Sequence, residues 1–301
     1  MPSETTNAIT SPRNHGASGW LTVPAPLARL FKKFPLLTYP PNELPARSPN
    51  ARDVATLYIF ISDQDALNSL PSFNPSCLKW QTFLKLAGVE FRVVPSNNHA
   101  SPTGALPFLI PPSSPSNSTS SAPIPSNKLE LYATENGTLK VPAVSNPRLE
   151  LYESLLDHRI RNAWLYSLYI SRPNSALLSQ LYVTPVSASQ IIRTTVLFQL
   201  RHAAEAEILR SSGTPAINPK ALYSGANEAF EALSVVLGSG NWFFGAPEPS
   251  LFDATVFAYT HLLLDDQLAW EDRRLTDIVE RLPNLVEHRD RILRRCWGGK
   301  S

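Results

Sequence analysis

At about Pro147 the spacing of apolar residues changes from alternation to a repeat of about 3.6, and it does not change back. A chain patterned in this way is confined to a small mixed α/β layer placed against an all-helical body. Upstream of the change, Leu57 to Ile61 is a run of aliphatic and aromatic residues stopped by Ser62-Asp63, which predicts a buried strand. Asn74-Pro75 then suits the cap and first turn of a helix, with Cys77, Trp80, Phe83, Leu84 and Ala87 on one face and Gly88 at its end. Phe91 to Val94 predicts a second strand parallel to the first. In Leu106 to Ile110, Pro107 fits either an edge strand or the turn before a strand. Leu129 to Tyr132 is the candidate fourth strand.

Downstream, Leu149, Tyr152, Leu156, Ala163, Ser167 and Ile170 mark one helix, which stops before Pro173. Ile192, Val196, Leu200 and Ala203 mark the next. Ala226, Ala229, Phe230, Leu233 and Leu237 mark a third, ending at Gly238. Ser250 and Asp253, three apart ahead of a strongly apolar run, form a capping box at a further helix start. A last helix over residues 275–297 contains Pro283, where a kink or break is expected.

Of 28 prolines, nine fall in the first fifty positions and seven between Pro102 and Pro125. Proline lacks the backbone donor, so these stretches are expected to be irregular. The organisation expected is a tail and extended lead-in over 1–50, a small α/β domain over 51–140 with a low-complexity insertion at 111–127, and a helical domain over 147–297.

Composition removes several classes of function. With 27 Lys and Arg against 25 Asp and Glu, the net charge of +2 offers no field for nucleic acid. Cys77 and Cys296 are too few for a disulfide framework or a Cys/His zinc cluster, and the six histidines show no ligand spacing, so neither a metal nor a cofactor is expected. Every apolar run is broken well short of the ~18 residues a spanning helix needs. Gly298-Gly-Lys-Ser301 lacks the earlier glycine of a phosphate loop, since position 294 is Arg. His261 lies on an apolar face and reads as a hydrogen-bonded core histidine. Cys77, in the first turn of a helix after a strand, occupies a place where thiols become reactive, but it shares the face of Trp80 and Leu84 and reads as a buried structural thiol. Leu27, Leu30, Phe31 and Phe34, interleaved with Arg29, Lys32 and Lys33 and followed by Tyr39, suit a lipid surface or partner groove as well as packing on the chain's own domain.

The order of elements, the proline before the third strand and the Ser-x-x-Asp box together resemble the glutathione transferase fold, a thioredoxin-like domain followed by an all-α domain. Within it, the stretches Ser101 to Leu109, Tyr152 to Leu156 with Trp164 to Tyr169, and Phe244 to Tyr259 resemble the metaxin family, and Phe34 to Pro40 is similar to its fungal members. The resemblance implies a cis peptide bond before Pro107 and a scaffold role for Leu106, Pro107, Ser250 and Asp253. Glutathione-using enzymes of this fold need a Tyr, Ser or Cys near the first helix and an acidic-Ser pair after the fourth strand. Here Asn74 stands in the first place, and Ala133 to Gly137 lacks the second.

No catalytic residue is therefore expected, the alternative being a glutathione transferase or other thiol-dependent enzyme acting through Cys77 or Ser76. The resemblance implies a non-enzymatic, peripheral subunit of the sorting and assembly machinery, on the cytosolic face of the mitochondrial outer membrane. Its partners would be the central β-barrel subunit, a second metaxin-like subunit and β-barrel precursors carrying a C-terminal β-signal. With a basic last helix and no hydrophobic anchor, the chain is more similar to the smaller, thirty-five-kilodalton-class fungal subunit than to the larger one. Leu27, Leu30, Phe31, Phe34 and Tyr39 are the candidate partner or membrane contacts.

Overall fold

Among the described residues, four strands form one sheet in the order β2-β1-β3-β4, built from β1 (Ala55–Ile59), β2 (Phe91–Pro95), β3 (Phe108–Ile110) and β4 (Ile124–Pro125). The computed structural model describes residues 53–112, 122–142, 144 and 146–298. The expected contacts at Leu27, Leu30, Phe31, Phe34 and Tyr39 thus lie outside the described residues, as do most of the proline-rich lead-in and residues 113–121.

β2 runs parallel to β1, pairing Leu57 with Val93, while β3 runs antiparallel to β1, pairing Leu57 with Leu109. The parallel pair needs a crossover, supplied by α2 (Pro75–Leu86), which follows a short α1 (Asp63–Leu67). α2 starts where the sequence predicts, because the Asn74 side chain accepts from the Cys77 N–H and Pro75 has no N–H to strand. It ends at Gly88, whose φ of +68° and close approach to Thr138 leave no room for a Cβ.

The peptide bond before Pro107 is cis, and the proline occupies the turn ahead of β3. β3 itself is interior, hydrogen-bonded to β1 on one side and β4 on the other. Two expectations fail nearby. Leu129 to Tyr132 is not the fourth strand but the start of α3 (Leu129–Asn136), in which Leu129 and Ala133, four apart, are the buried pair. The fourth strand is Ile124–Pro125, inside the stretch at 111–127 expected to be irregular. A proline is tolerated there because, among the described residues, β4 is an edge strand paired with β3 alone.

The helical half begins with α4 (residues 149–170), in which two π-helical stretches, Leu155–Ile160 and Tyr166–Ile170, interrupt the α geometry. Each shifts the phase of the following turn, so Ile160, Trp164 and Leu168 join Leu156, Ala163 and Ser167 in the interior, while Ile170 is only half-buried. α5 (residues 175–183) was not visible as a separate element in the sequence; it buries Leu177, Leu178, Tyr182 and Val183. α6 (Gln190–Ser212) does not present the predicted face. Ala204 and Ile208 are its buried residues, Ala203 is exposed and Ile192 is 46% exposed.

α7 (Pro219–Leu237) buries all five predicted residues. α8 (Leu251–Leu264) is the capping-box helix, and it is buried on nearly every side. Pro283 breaks the last predicted helix, ending the region of α9 (Arg274–Glu280) and opening α10 (Pro283–Trp297) from its first position. α8 packs along α2, and the two hydrophobic clusters, one around the sheet and one around Phe230 and Phe257, meet there through Leu78 and Ala254.

Candidate functional site

The end of β1 and the N-terminus of α2 are where a strand–helix unit of this kind exposes backbone donors, and both are occupied from within the chain. Ser72 donates its hydroxyl to the Phe60 carbonyl and its N–H to Gln81 Oε1 at 2.8 Å, and Gln81 Nε2 donates to the Leu70 carbonyl at 2.8 Å. One buried glutamine thus straps the 70–72 loop to the side of α2. Asn74 accepts from the Cys77 N–H and donates its amide to the Tyr182 hydroxyl at 3.0 Å. Tyr182, delivered by α5, stands edge-on to Phe60 and Phe73 with ring centroids 5.3 and 5.2 Å away, and Tyr169 lies 5.7 Å behind it. An aromatic group from the helical half therefore covers the helix start.

The nucleophile candidates fare accordingly. Cys77 is fully buried, and burial pushes its thiol up to about 12. A thiolate does not form there near neutral pH, so the structural reading of Cys77 holds. Burial also drives the Tyr182 hydroxyl well above its ordinary value. Ser76 is exposed on the first turn of α2, and among the described residues its hydroxyl has no base to activate it.

Moving the fourth strand to Ile124–Pro125 also moves the place to look for an acidic-Ser pair. The residues there are Ser126, Asn127 and Lys128: the serine is present, but Pro125 precedes it where a carboxylate would be needed. Leu106 and Pro107 are both buried at the cis turn.

At the start of α8, Ser250 and Asp253 form the predicted reciprocal cap. The structure adds two partners that no local spacing announces. Asp253 also accepts from the Phe243 N–H and from His288 Nε2, each at 3.0 Å, and both carboxylate and imidazole are fully buried.

Beside the covered helix start, a cleft of about 1190 Å³ runs between the β1–α2 loop, the end of β2, residues 180–186 and the C-terminal turns of α8 and α10. His261 lines it, 5% exposed, stacked on Phe257 and accepting at Nδ1 from Arg289 Nε at 3.2 Å. Burial first, and the Arg289 charge second, lower its pKa to about 3. It is neutral and hydrogen-bonded, as expected of a core histidine. Sequence reasoning did not foresee that it also faces a cleft.

Sheet order, cis-proline turn and capped α8 define a glutathione-transferase-like fold. The sequence matches agree: a glutathione S-transferase N-terminal domain model matches residues 75–174, and a glutathione S-transferase C-terminal domain model matches residues 226–292. Metaxin-3 of Xenopus laevis is 25% identical over 235 residues, which cover 74% of this chain and 72% of that protein. These matches support a metaxin- or glutathione-transferase-like family. Among solved structures, the beta-etherase LigF of Sphingobium sp. strain SYK-6 aligns with 14% identity and a TM-score of 0.48 over 80% of this chain and 95% of that one. Glutaredoxin 2 of Salmonella typhimurium, in complex with glutathione, aligns with 16% identity and a TM-score of 0.48 over 83% and 97%.

Proposed function

We propose that the chain is a non-enzymatic, metaxin-like subunit of the sorting and assembly machinery of the mitochondrial outer membrane, corresponding to the smaller, thirty-five-kilodalton-class fungal form. It sits peripherally on the cytosolic face and binds the central β-barrel subunit, a second metaxin-like subunit and β-barrel precursors. The observation that carries this reading is the covered start of α2. Asn74 and Tyr182 stand where a thiol-activating group would work, Cys77 is sealed beneath them, and Ser126 has no adjacent carboxylate. The similarity to Metaxin-3 supports the cellular role. Among the described residues, no helix is long and apolar enough to cross a membrane.

Extraction of the tagged chain from mitochondria in gentle detergent tests the reading. The expected result is recovery with a β-barrel outer-membrane protein and a second metaxin-like protein; recovery with neither overturns it. Retention on glutathione resin, elution by free glutathione and turnover lost in Cys77→Ala or Ser76→Ala would replace it with the enzyme. Deleting residues 20–40 separates the lead-in's role: undiminished recovery of the barrel protein removes Leu27, Leu30, Phe31, Phe34 and Tyr39 from the docking account.

A further inference from the structure

We infer that the first half of α6 is a membrane-contact face, a helix side that lies among the headgroups of an anionic bilayer. A helix at a protein surface ordinarily turns charged residues to water. α6 does not. Residues 190–204 carry no carboxylate, and the side turned away from the core presents Ile191, Thr195, Phe198 and His202, spaced four, three and four apart. That spacing sets them in one stripe, with Ile191 and Phe198 roughly 10 Å apart along the axis. Ile191 is 80% exposed, Phe198 70% and the adjoining Ile192 46%. The Phe198 ring stacks on His202 with the planes 6° apart, which extends the stripe by another ring. A single exposed apolar side chain needs no explanation, whereas several on one helix side mark a contact.

Charge says what the contact is with. From His158 to Ala204 the chain has no Asp or Glu, but it has Arg159, Arg161, Arg172, Arg193 and Arg201. Arg159 and Arg161 are met from elsewhere by Glu228 and Glu207. The other three have no carboxylate partner among the described residues. Arg193 Nε donates to the Ser187 carbonyl at 2.6 Å, just ahead of α6. Arg201 Nη2 donates to Ser175 Oγ at 2.7 Å, and the Ser175 N–H bonds the carbonyl of the exposed Arg172. Positive charge thus accompanies both ends of the stripe. Of the carboxylates nearby, Glu207 is held by Arg161 and Arg210, and Asp272, which bonds Ser171, is buried and held by Arg274. Glu205, one turn past His202, and Glu271, next to Asp272, are exposed and oppose an anion.

Projecting apolar side chains accompanied by arginines match anionic headgroups over acyl chains. A second copy of this chain matches less well, since a two-fold contact would set the same arginines against one another. α6 also lies between the two segments matched by the glutathione S-transferase models, residues 75–174 and 226–292. The inference rests on the proposed outer-membrane role only for which membrane is contacted.

Flotation of the full chain with vesicles tests it, using phosphatidylcholine alone and phosphatidylcholine with about 30 mol% phosphatidylserine. Binding to the anionic vesicles is expected, at least about tenfold weaker on phosphatidylcholine alone and weakened again by about 0.5 M salt. Ile191→Ser combined with Phe198→Ser should reduce it at least about tenfold without lowering the melting temperature, because both side chains already stand mostly in water. Arg172→Gln and Arg193→Gln should each reduce it by about fivefold. A nitrobenzoxadiazole dye attached through Thr195→Cys, in a chain that also carries Cys296→Ser, should brighten when anionic vesicles are added. No flotation with anionic vesicles overturns the inference, as does binding indifferent to the Ile191 and Phe198 changes, or a dye that stays dark while the chain floats. A chain that does not float, yet loses the barrel protein on the double change, assigns the face to a protein partner instead. Absent flotation with the barrel protein still recovered defeats this inference alone; flotation with no partner recovered defeats the proposed function alone.

Discussion

Replacing Asp253 with alanine should be among the most damaging single changes available to the helical half. The carboxylate accepts four hydrogen bonds: from the Ser250 N–H at 2.8 Å, the Ser250 hydroxyl at 2.6 Å, the Phe243 N–H at 3.0 Å and His288 Nε2 at 3.0 Å. The hydroxyl can rotate to another acceptor. The two backbone donors cannot, and His288 is in no position to compensate, because among the described residues its Nδ1 already lacks a partner. Three stranded donors at about 1–3 kcal/mol each, reduced by relaxation and water entry, give an expected loss of about 3–5 kcal/mol. That is a large fraction of the ~5–15 kcal/mol that holds a typical domain together.

Asp253→Asn keeps an oxygen for Phe243 and His288 but turns an NH₂ toward the Ser250 N–H, so about 2–3 kcal/mol is expected. Ser250→Ala removes the cap acceptor for the Asp253 N–H and the hydroxyl donated to the carboxylate, but leaves the carboxylate's other three donors in place, and should cost about 1–2 kcal/mol. Urea denaturation of the full chain followed by circular dichroism reads the order directly from the midpoints at constant slope. Asp253→Ala within about 1 kcal/mol of the parent, or Ser250→Ala as costly as Asp253→Ala, would show that the network does not carry the load assigned to it.

Asp272, buried and bonded by Arg274, Ser171 and Tyr223, has its pKa lowered to about 2, first by the Arg274 hydrogen bond. Its contribution is complete above the ordinary value of 3.8 and is lost as pH falls toward 2, so Asp272→Asn should flatten the fall in stability over that window. His261, held near 3 against 6.5 in a free chain, makes the unfolded state the better proton acceptor. Stability should therefore decline as pH drops from 6.5 toward 3, and His261→Phe should reduce that slope in a pH series of thermal melts. At pH 8, iodoacetamide should leave Cys77 unmodified in the native chain and label it after urea; rapid native labelling, read by mass spectrometry, would contradict its burial. Gln81→Leu strands the Ser72 N–H and the Leu70 carbonyl and should cost about 2–3 kcal/mol, with faster hydrogen exchange at Ser72; unchanged exchange would refute the strap.

Elements whose signals are local were legible in the sequence. The Asn74-Pro75 helix start, the Gly88 stop, the Ser250–Asp253 box and the break at Pro283 each depend on a few consecutive residues, and all four stand in the structure. Leu129 to Tyr132 misled because Leu, Glu, Leu, Tyr alternates for four residues, too short a run to separate period two from a helix whose buried partner, Ala133, comes next. The α6 face misled for a different reason. Its apolar residues outnumber its buried ones, with Ile191 at 80% and Phe198 at 70% exposure, so hydrophobicity alone did not report which side meets the core.

What the sequence determined by itself was the two-part architecture and the points where helices begin and end, because propensity, capping and periodicity act within a few turns of chain. Only the tertiary structure decided that Tyr182 covers Asn74 from 108 residues away, that His288 completes the Asp253 network from 35 away, and that Arg289 fixes the proton of His261. Those pairings arise when separate helices pack and exclude water from the groups between them. Which side chains end up facing one another depends on the whole arrangement and leaves no mark on their spacing along the chain.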